Sequence, residues 1–224
     1  MSDLLSQTQG STFLVVLSVL GFLSFALLFV TSYVKIAVVF GLLRSALGTP
    51  QLPPTMVLTG LALVLSVAVM MPVFSRSWTA LAPQAEVFAD AGQPEEARVQ
   101  ALVRGVKDGA EPFRTFLGRH AHPMDQQGFA DVTKRLNPEM TVARDDFLVL
   151  IPAFLISEIT EAFQIGFLLF LPFLILDLLT ANILMALGMH MVSPTAVSLP
   201  LKLLLFVAVD GFYLLASALM LSYA

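Results

Sequence analysis

The sequence predicts an all-α protein of long apolar helices and helical hairpins, with a small helical soluble insertion. Three observations carry that prediction. Hydrophobic residues make up 57% of the 224 residues and charged ones 12%, with a mean hydropathy of +0.85, whereas soluble domains hold about 25% charged residues. The apolar residues come in runs long enough to cross a bilayer, which takes about 20 residues. The charges are segregated: 9 of the 12 Lys and Arg and 11 of the 16 Asp and Glu lie between residues 75 and 146. Three segments follow: N-terminal apolar helices over 1–74, a soluble insertion over 75–146, and a C-terminal helical hairpin with a last helix over 147–224.

The first apolar run covers residues 12–43 and is 32 residues long, so a helix there must tilt, break near Gly21 or project from the bilayer. The residues before it lack the basic stretch and cleavage site of a secretory signal, so the run is expected to be kept as a helix. GTPQLPP, residues 48–54, is a loop, since paired prolines can begin a helix and cannot continue one. A second apolar helix is expected over 56–74, stopped at Pro72. In the insertion, the spacing of Ala97, Val99, Leu102, Val103 and Val106 gives a helical stripe over 95–106. Short helices are expected over 112–120 and 124–136. Residues 147–188 suffice for two helices folded as a hairpin or one long bent pair, with Pro152, Gly166 and Pro172 as bend points. A turn after Gly188 leads to a last helix over 197–222. Basic residues flank the second helix on both sides, as Arg44, Arg76 and Arg144, so the positive-inside rule assigns no orientation.

Several function classes are set aside by composition and motif. A net charge of -4 argues against nucleic acid, which needs a basic face. Cysteine is absent, which removes disulfides, thiolate metal sites and a cysteine nucleophile. No Walker loop, dinucleotide fingerprint or HExxH motif is present, so no cofactor, metal or enzymatic activity is expected. His120 and His122 sit two apart without a third ligand nearby in sequence, and read as solvated loop histidines rather than zinc ligands.

The charges inside the apolar passes are the informative residues. Lys35, Glu158, Glu161, Asp177, Lys202 and Asp210 would each cost several kcal/mol at bilayer depth unless paired. Glu158 and Glu161, three apart, share one helix face, and a carboxylate pair can share a proton, as a transporter would require. The alternative is that each acid meets a base from another helix, with Lys35, Lys202 or a loop arginine as donors and Lys202–Asp177 as the evident pair. Met185, Met189 and Met191 cluster around a turn with Gly188 and His190. Methionine there is core packing or, because the side chain is flexible and polarisable, a deformable seal around a passing chain.

Two stretches carry a family resemblance. TSYVKIAVVFGLLRSALGTPQLPP with LTGLALVLS, and LIPAFLISEITEAFQIGFLLFLPFLILDLLTANILMALGMHMVSPTAVSLPLKLLLFVAVDGF, resemble the FliP/SctR (YscR/HrcR) family of the type III secretion export apparatus over well over half of the chain; residues 75–146 match weakly. The resemblance implies a core subunit of the export gate, the protein-conducting channel for unfolded secreted substrates at the bacterial inner membrane. It implies a homo-pentamer with SctS and SctT (FliQ/FliR-like) subunits and further export-apparatus components, in a helical cone standing largely on the periplasmic side. A pore gasket falls on Met189, His190 and Met191 with Met185 nearby, and an inter-subunit charge network on Glu158, Asp177 and Lys202, joined by Glu161 and Lys35. His190 departs from the three successive methionines of many flagellar members and places a titratable group in the seal. Phe212 stands where VDGW is common. Lys35 and the absent signal sequence fit the injectisome branch. A small ion or proton-coupled transporter using Glu158 and Glu161 is the alternative function, and an anchor without transport a third.

Overall fold

The computed structural model describes residues 28–49, 52–90, 92 and 94–224. The earlier part of the first expected helix, with its break near Gly21, lies outside the described residues. Among these, every regular element is helical: α1 (Tyr33–Leu47), α2 (Thr55–Ala89), α3 (Glu95–His120), α4 (Pro123–Leu136), α5 (Phe147–Ala186), α6 (Pro194–Ala208) and α7 (Gly211–Leu221).

Helix α1 ends on Gly48 in the left-handed conformation, whose N–H returns to the Ser45 carbonyl at 3.1 Å, a common helix stop. Pro54 then stands just ahead of α2. The expected stop at Pro72 does not occur. Helix α2 runs 35 residues through Pro72 and Pro83, although an interior proline costs about 3 kcal/mol. The compensation is packing against α3. A Cβ at Gly109 would lie 3.1 Å from the Leu81 Cδ1, so the bare glycine lets the two helices approach closely. The rings of Phe74 and Phe113 also meet edge-on at 5.8 Å. Tertiary contact outweighs local propensity here, and α2 and α3 form one long hairpin that crosses residue 74. For the same reason the two short helices expected over 95–106 and 112–120 are a single helix, α3, running through Pro112.

Residues 147–186 form one continuous 40-residue helix, α5, with Pro152 and Pro172 inside it. It is neither a hairpin nor a pair broken at Gly166. At about 1.5 Å per residue it extends about 60 Å. The hairpin lies beyond it, where Gly188 takes φ 72 and the chain returns as α6. The expected last helix over 197–222 is two helices, α6 and α7, bent by 58° at Val209 and Asp210.

Two large apolar clusters hold most of these elements together, and a small third one of Ala130, Val142 and Val149 joins α4 to α5. Ile36, Val39, Phe40 and Leu43 of α1 are buried against Leu58 and Ala62 of α2, Ala162 and Phe173 of α5, Phe206 of α6, and Leu215 and Leu219 of α7. Met70, Phe116, Leu117, Leu150, Phe154 and Tyr223 form the second, joining the insertion to α2 and α5. Helices α2 and α5 are each long and apolar enough to cross a membrane, and the bent α6–α7 pair makes a third if counted as one span. Their outward faces are strongly apolar: Met56, Val64, Phe163, Phe167, Leu168 and Leu204 are all exposed.

Helix α1 crosses α5 at Gly166, where any Cβ would overlap the Leu42 side chain. Gly166→Val is expected to cost about 1–3 kcal/mol by overpacking. Gly41, with open space around it, should gain about 0.5–1 kcal/mol as alanine. Thermal unfolding in detergent checks both, and an unchanged or raised Tm for Gly166→Val would contradict this packing.

Candidate functional site

Lys35 sits in the first turn of α1, on the buried face of that helix and beside two acids of α5. Its ammonium lies 2.7 Å from Glu161 Oε2 and 3.5 Å from Glu158 Oε1. Lys35 and Glu158 are each 1% exposed. One cation therefore serves two carboxylates on successive turns, and its 4.3 Å approach to the Tyr223 ring centroid adds a cation–π contact. The Tyr223 hydroxyl donates to Glu158 Oε2. Glu158 Oε1 has no hydrogen bond, so its charge is balanced through the nearby ammonium alone.

The insertion closes the outer side of this cluster. His122 Nε2 lies 2.8 Å from Glu161 Oε1. Its backbone N–H donates to Ser157 Oγ at 2.8 Å, and that hydroxyl donates to Asp125 at 2.6 Å. The Gln126 amide donates to the carbonyls of Gly118 and Ala121 at 3.0 and 2.8 Å, fixing the turn between α3 and α4. His120 is the last residue of α3 rather than a loop residue, and His122, in the turn and 44% exposed, is held by an acid rather than by solvent alone. His122 joins the ion cluster, and His120 packs its ring against Phe116 and Tyr223 at 4.7 and 5.1 Å. Burial first, then Arg119 beside it, holds the His120 imidazole below its usual range. Arg119 Nη2 also donates to the Ala224 carbonyl at 3.2 Å, so residues 223 and 224 are held from both sides.

A second pair lies towards the other end of α5. Lys202 Nζ donates to Asp177 Oδ2 at 2.7 Å, and Ser198 Oγ to Asp177 Oδ1 at 2.6 Å. The same ammonium reaches the Ala46 carbonyl at 3.4 Å, at the C-terminal end of α1, where a helix favours a cation. A cavity of about 380 Å³ adjoins this pair, lined by Ser45, Gly48, Phe173, Asp177, Thr195 and Lys202 among others. Lys202–Asp177 is the pair evident from the sequence, and Lys35 supplies the base for Glu158 and Glu161. Each of these charges has a counter-charge within one chain, while the rims of Glu161 and Asp177 remain 30% and 36% exposed.

The residues expected to form a gasket occupy the tip of the α5–α6 hairpin. Met185 is on the last turn of α5, and Met189, His190 and Met191 follow Gly188. Met185 and Met189 are exposed and Met191 completely so, so the tip projects from the chain rather than packing in its core. His122 was read in the sequence as a solvated loop residue, and Tyr223, Ser157 and Ser198 were not singled out there. Only Tyr223 left a trace there, as a phenol after an apolar helix, where a buried hydroxyl needs a partner.

These features define a helical membrane protein whose apolar passes carry internally paired charges and whose hairpin tip is a bare cluster of thioethers. The chain belongs to the FliP family, whose model matches residues 16–219. It is 47% identical over 217 residues to the pathogenicity-related ORF2 of Xanthomonas campestris pv. glycines, covering 96% of this chain and 97% of that one. It is 43% identical over 213 residues to the Yop proteins translocation protein R of Yersinia pestis, covering 94% of each. It is 45% identical over 221 residues to the flagellar biosynthetic protein FliP of Pectobacterium carotovorum subsp. carotovorum, covering 97% of this chain and 80% of that one.

Tyr223→Phe removes the hydroxyl that Glu158 accepts from. A hydrogen bond to a charged group contributes about 1.5–3 kcal/mol, so a fall in unfolding stability of that order is expected in detergent. An unchanged stability would show that the phenol is not bonded to Glu158.

Proposed function

We propose that this chain is a core subunit of a type III secretion export gate, lining the channel through which unfolded proteins cross the bacterial inner membrane. The names of its relatives, a Yop translocation protein and a flagellar biosynthetic protein, support that reading. The observation that carries it is the hairpin tip. A rigid 40-residue helix and its return partner, clamped by Lys202–Asp177–Ser198, hold Met189, His190 and Met191 away from the body of the chain. Flexible thioethers brought to an axis by several copies would close a pore and part for a chain of any sequence.

The assembly in this reading is a homo-pentamer with SctS- and SctT-like subunits and other apparatus components, with much of it on the periplasmic side and the injectisome branch as its setting. The exposed apolar faces of α2, α5 and α7 are the surfaces such neighbours would cover. The half-exposed rims of Glu161 and Asp177 are where the charge network would extend to a neighbour. The subunit has no catalytic role and holds no cofactor; energy comes from partners. A proton-coupled transporter would need the Glu158–Glu161 pair free to exchange protons, and Lys35 and Tyr223 hold it instead.

In cells producing the complete apparatus, replacing Met189 and Met191 together by glycine is expected to raise inner-membrane ion leak several-fold while the assembled gate is still recovered. Leak equal to that of the unchanged chain would remove the gasket from this account.

A further inference from the structure

Helices α1 and α5–α7, with the break between α6 and α7, carry seven charged side chains. Five of them, Lys35, Glu158, Glu161, Asp177 and Lys202, form the intramolecular pairs described above. Two have no opposite charge among the described residues. Arg44, near the end of α1, donates only to the Thr55 hydroxyl at 2.6 Å. The Asp210 side chain, exposed at the α6–α7 break, has neither a hydrogen bond nor an ion pair.

We propose that Asp210 of one copy pairs with Arg44 of the neighbouring copy, and that this contact sets the register between copies. The inference rests on the multi-copy assembly proposed above. Asp210 is held in place by its backbone, not by its side chain. It takes φ 51 and ψ 45, a left-handed conformation that aspartate tolerates better than most residues. Gly211 beside it is buried beneath the Phe206 ring, where any Cβ would overlap the ring. Phe206 is in turn braced edge-on by Phe212 at 4.8 Å. The carboxylate therefore stands at a fixed point on a face where Leu204, Val207, Tyr213 and Leu214 are all exposed.

A carboxylate covered by an apolar neighbour without a counter-charge is strongly disfavoured, because it loses its hydration and gains no partner. The occupant of this face must therefore bring a cation. Arg44 meets that need. It lies beside Met56 and Val57 at the start of α2, both exposed, so it too is a lone charge at the edge of an apolar face. A guanidinium can engage a carboxylate with two parallel hydrogen bonds, which fixes orientation as well as charge. Because every copy supplies one Asp210 and one Arg44, each contact is neutral and leaves no charge over. Two different patches meet, so the contact is head-to-tail and generates a ring or a helical stack.

The chain has no cysteine, so single introduced thiols report alone. Two differently tagged chains, Asp210→Cys and Arg44→Cys, would be produced together within the full apparatus and treated with a short bismaleimide. A cross-linked dimer carrying both tags, and none when either variant is produced alone, is the expected result. Native mass spectrometry of the unmodified complex runs in parallel. Asp210→Asn keeps the backbone geometry and removes the charge, and should lower the multi-copy fraction at least tenfold without moving the Tm of the single chain. Asp210→Arg should do the same, with recovery when Arg44→Asp is added. Multi-copy complexes with no mixed-tag dimer and no recovery would overturn the pairing while leaving the assembly standing. Only single copies from the unmodified chain would overturn both.

Discussion

One ammonium held between two carboxylates is the interaction on which this fold depends. Lys35 is buried as completely as Glu158, and an isolated ion in such a place carries a desolvation cost of several kcal/mol. The chain meets that cost by convergence. Helix α1 brings the base, α5 brings two acids three residues apart, the turn before α4 brings His122, and the end of the chain beyond α7 brings the Tyr223 ring and hydroxyl. Removing any one leaves the others under-satisfied, so the cluster fixes four separate segments relative to one another. It also explains how a polar insertion is anchored on an oily body. The junction between α3 and α4 is tied into the ion cluster itself, with Phe116 and Leu117 packed alongside.

The second pair does related work at the end of α5 nearest the α5–α6 turn. Lys202, shared between Asp177 and the end of α1, locks α5 to α6 close to their common turn and ties both to the first helix. A hairpin tip can place a seal at a defined point only if its stem is stiff, and here the stem is two helices joined by an ion pair and a hydroxyl. Polarity inside the chain and apolarity outside it are thus parts of one arrangement. The charges that would be costly in lipid are used within the protomer, and the surfaces left over are those that further subunits can cover.

Much of this was legible in the sequence. The long apolar runs gave the all-helical class, and the lone bases among acids gave Lys202–Asp177 and left Lys35 as one of the donors open to Glu158 and Glu161, since Lys35 and Lys202 are the only lysines outside residues 75–146. What was not legible depends on tertiary contact. Pro72 read as a helix stop and Pro112 as a helix start, because proline breaks a helix interior and suits a first turn, yet both lie inside helices of the α2–α3 hairpin, where close packing sustains the helix. The break at Asp210 was not drawn from the sequence, although Asp-Gly is a turn dipeptide, because the runs on either side are apolar enough to read as one helix; in the structure the Phe206 ring crowds Gly211 there. His122 and Tyr223 lie 39 and 65 residues from their acidic partners, and no local pattern joins residues so far apart.

The central claim is that the buried charges are neutralised within a single chain before any neighbour arrives. A double-mutant cycle on the detergent-solubilised single chain, combining Lys35→Met with Glu161→Gln and reading unfolding free energy, tests it directly. Coupling of at least tenfold in the unfolding equilibrium, about 1.4 kcal/mol, is the predicted result. Additive effects in the single chain, with coupling appearing only in the assembled complex, would contradict it.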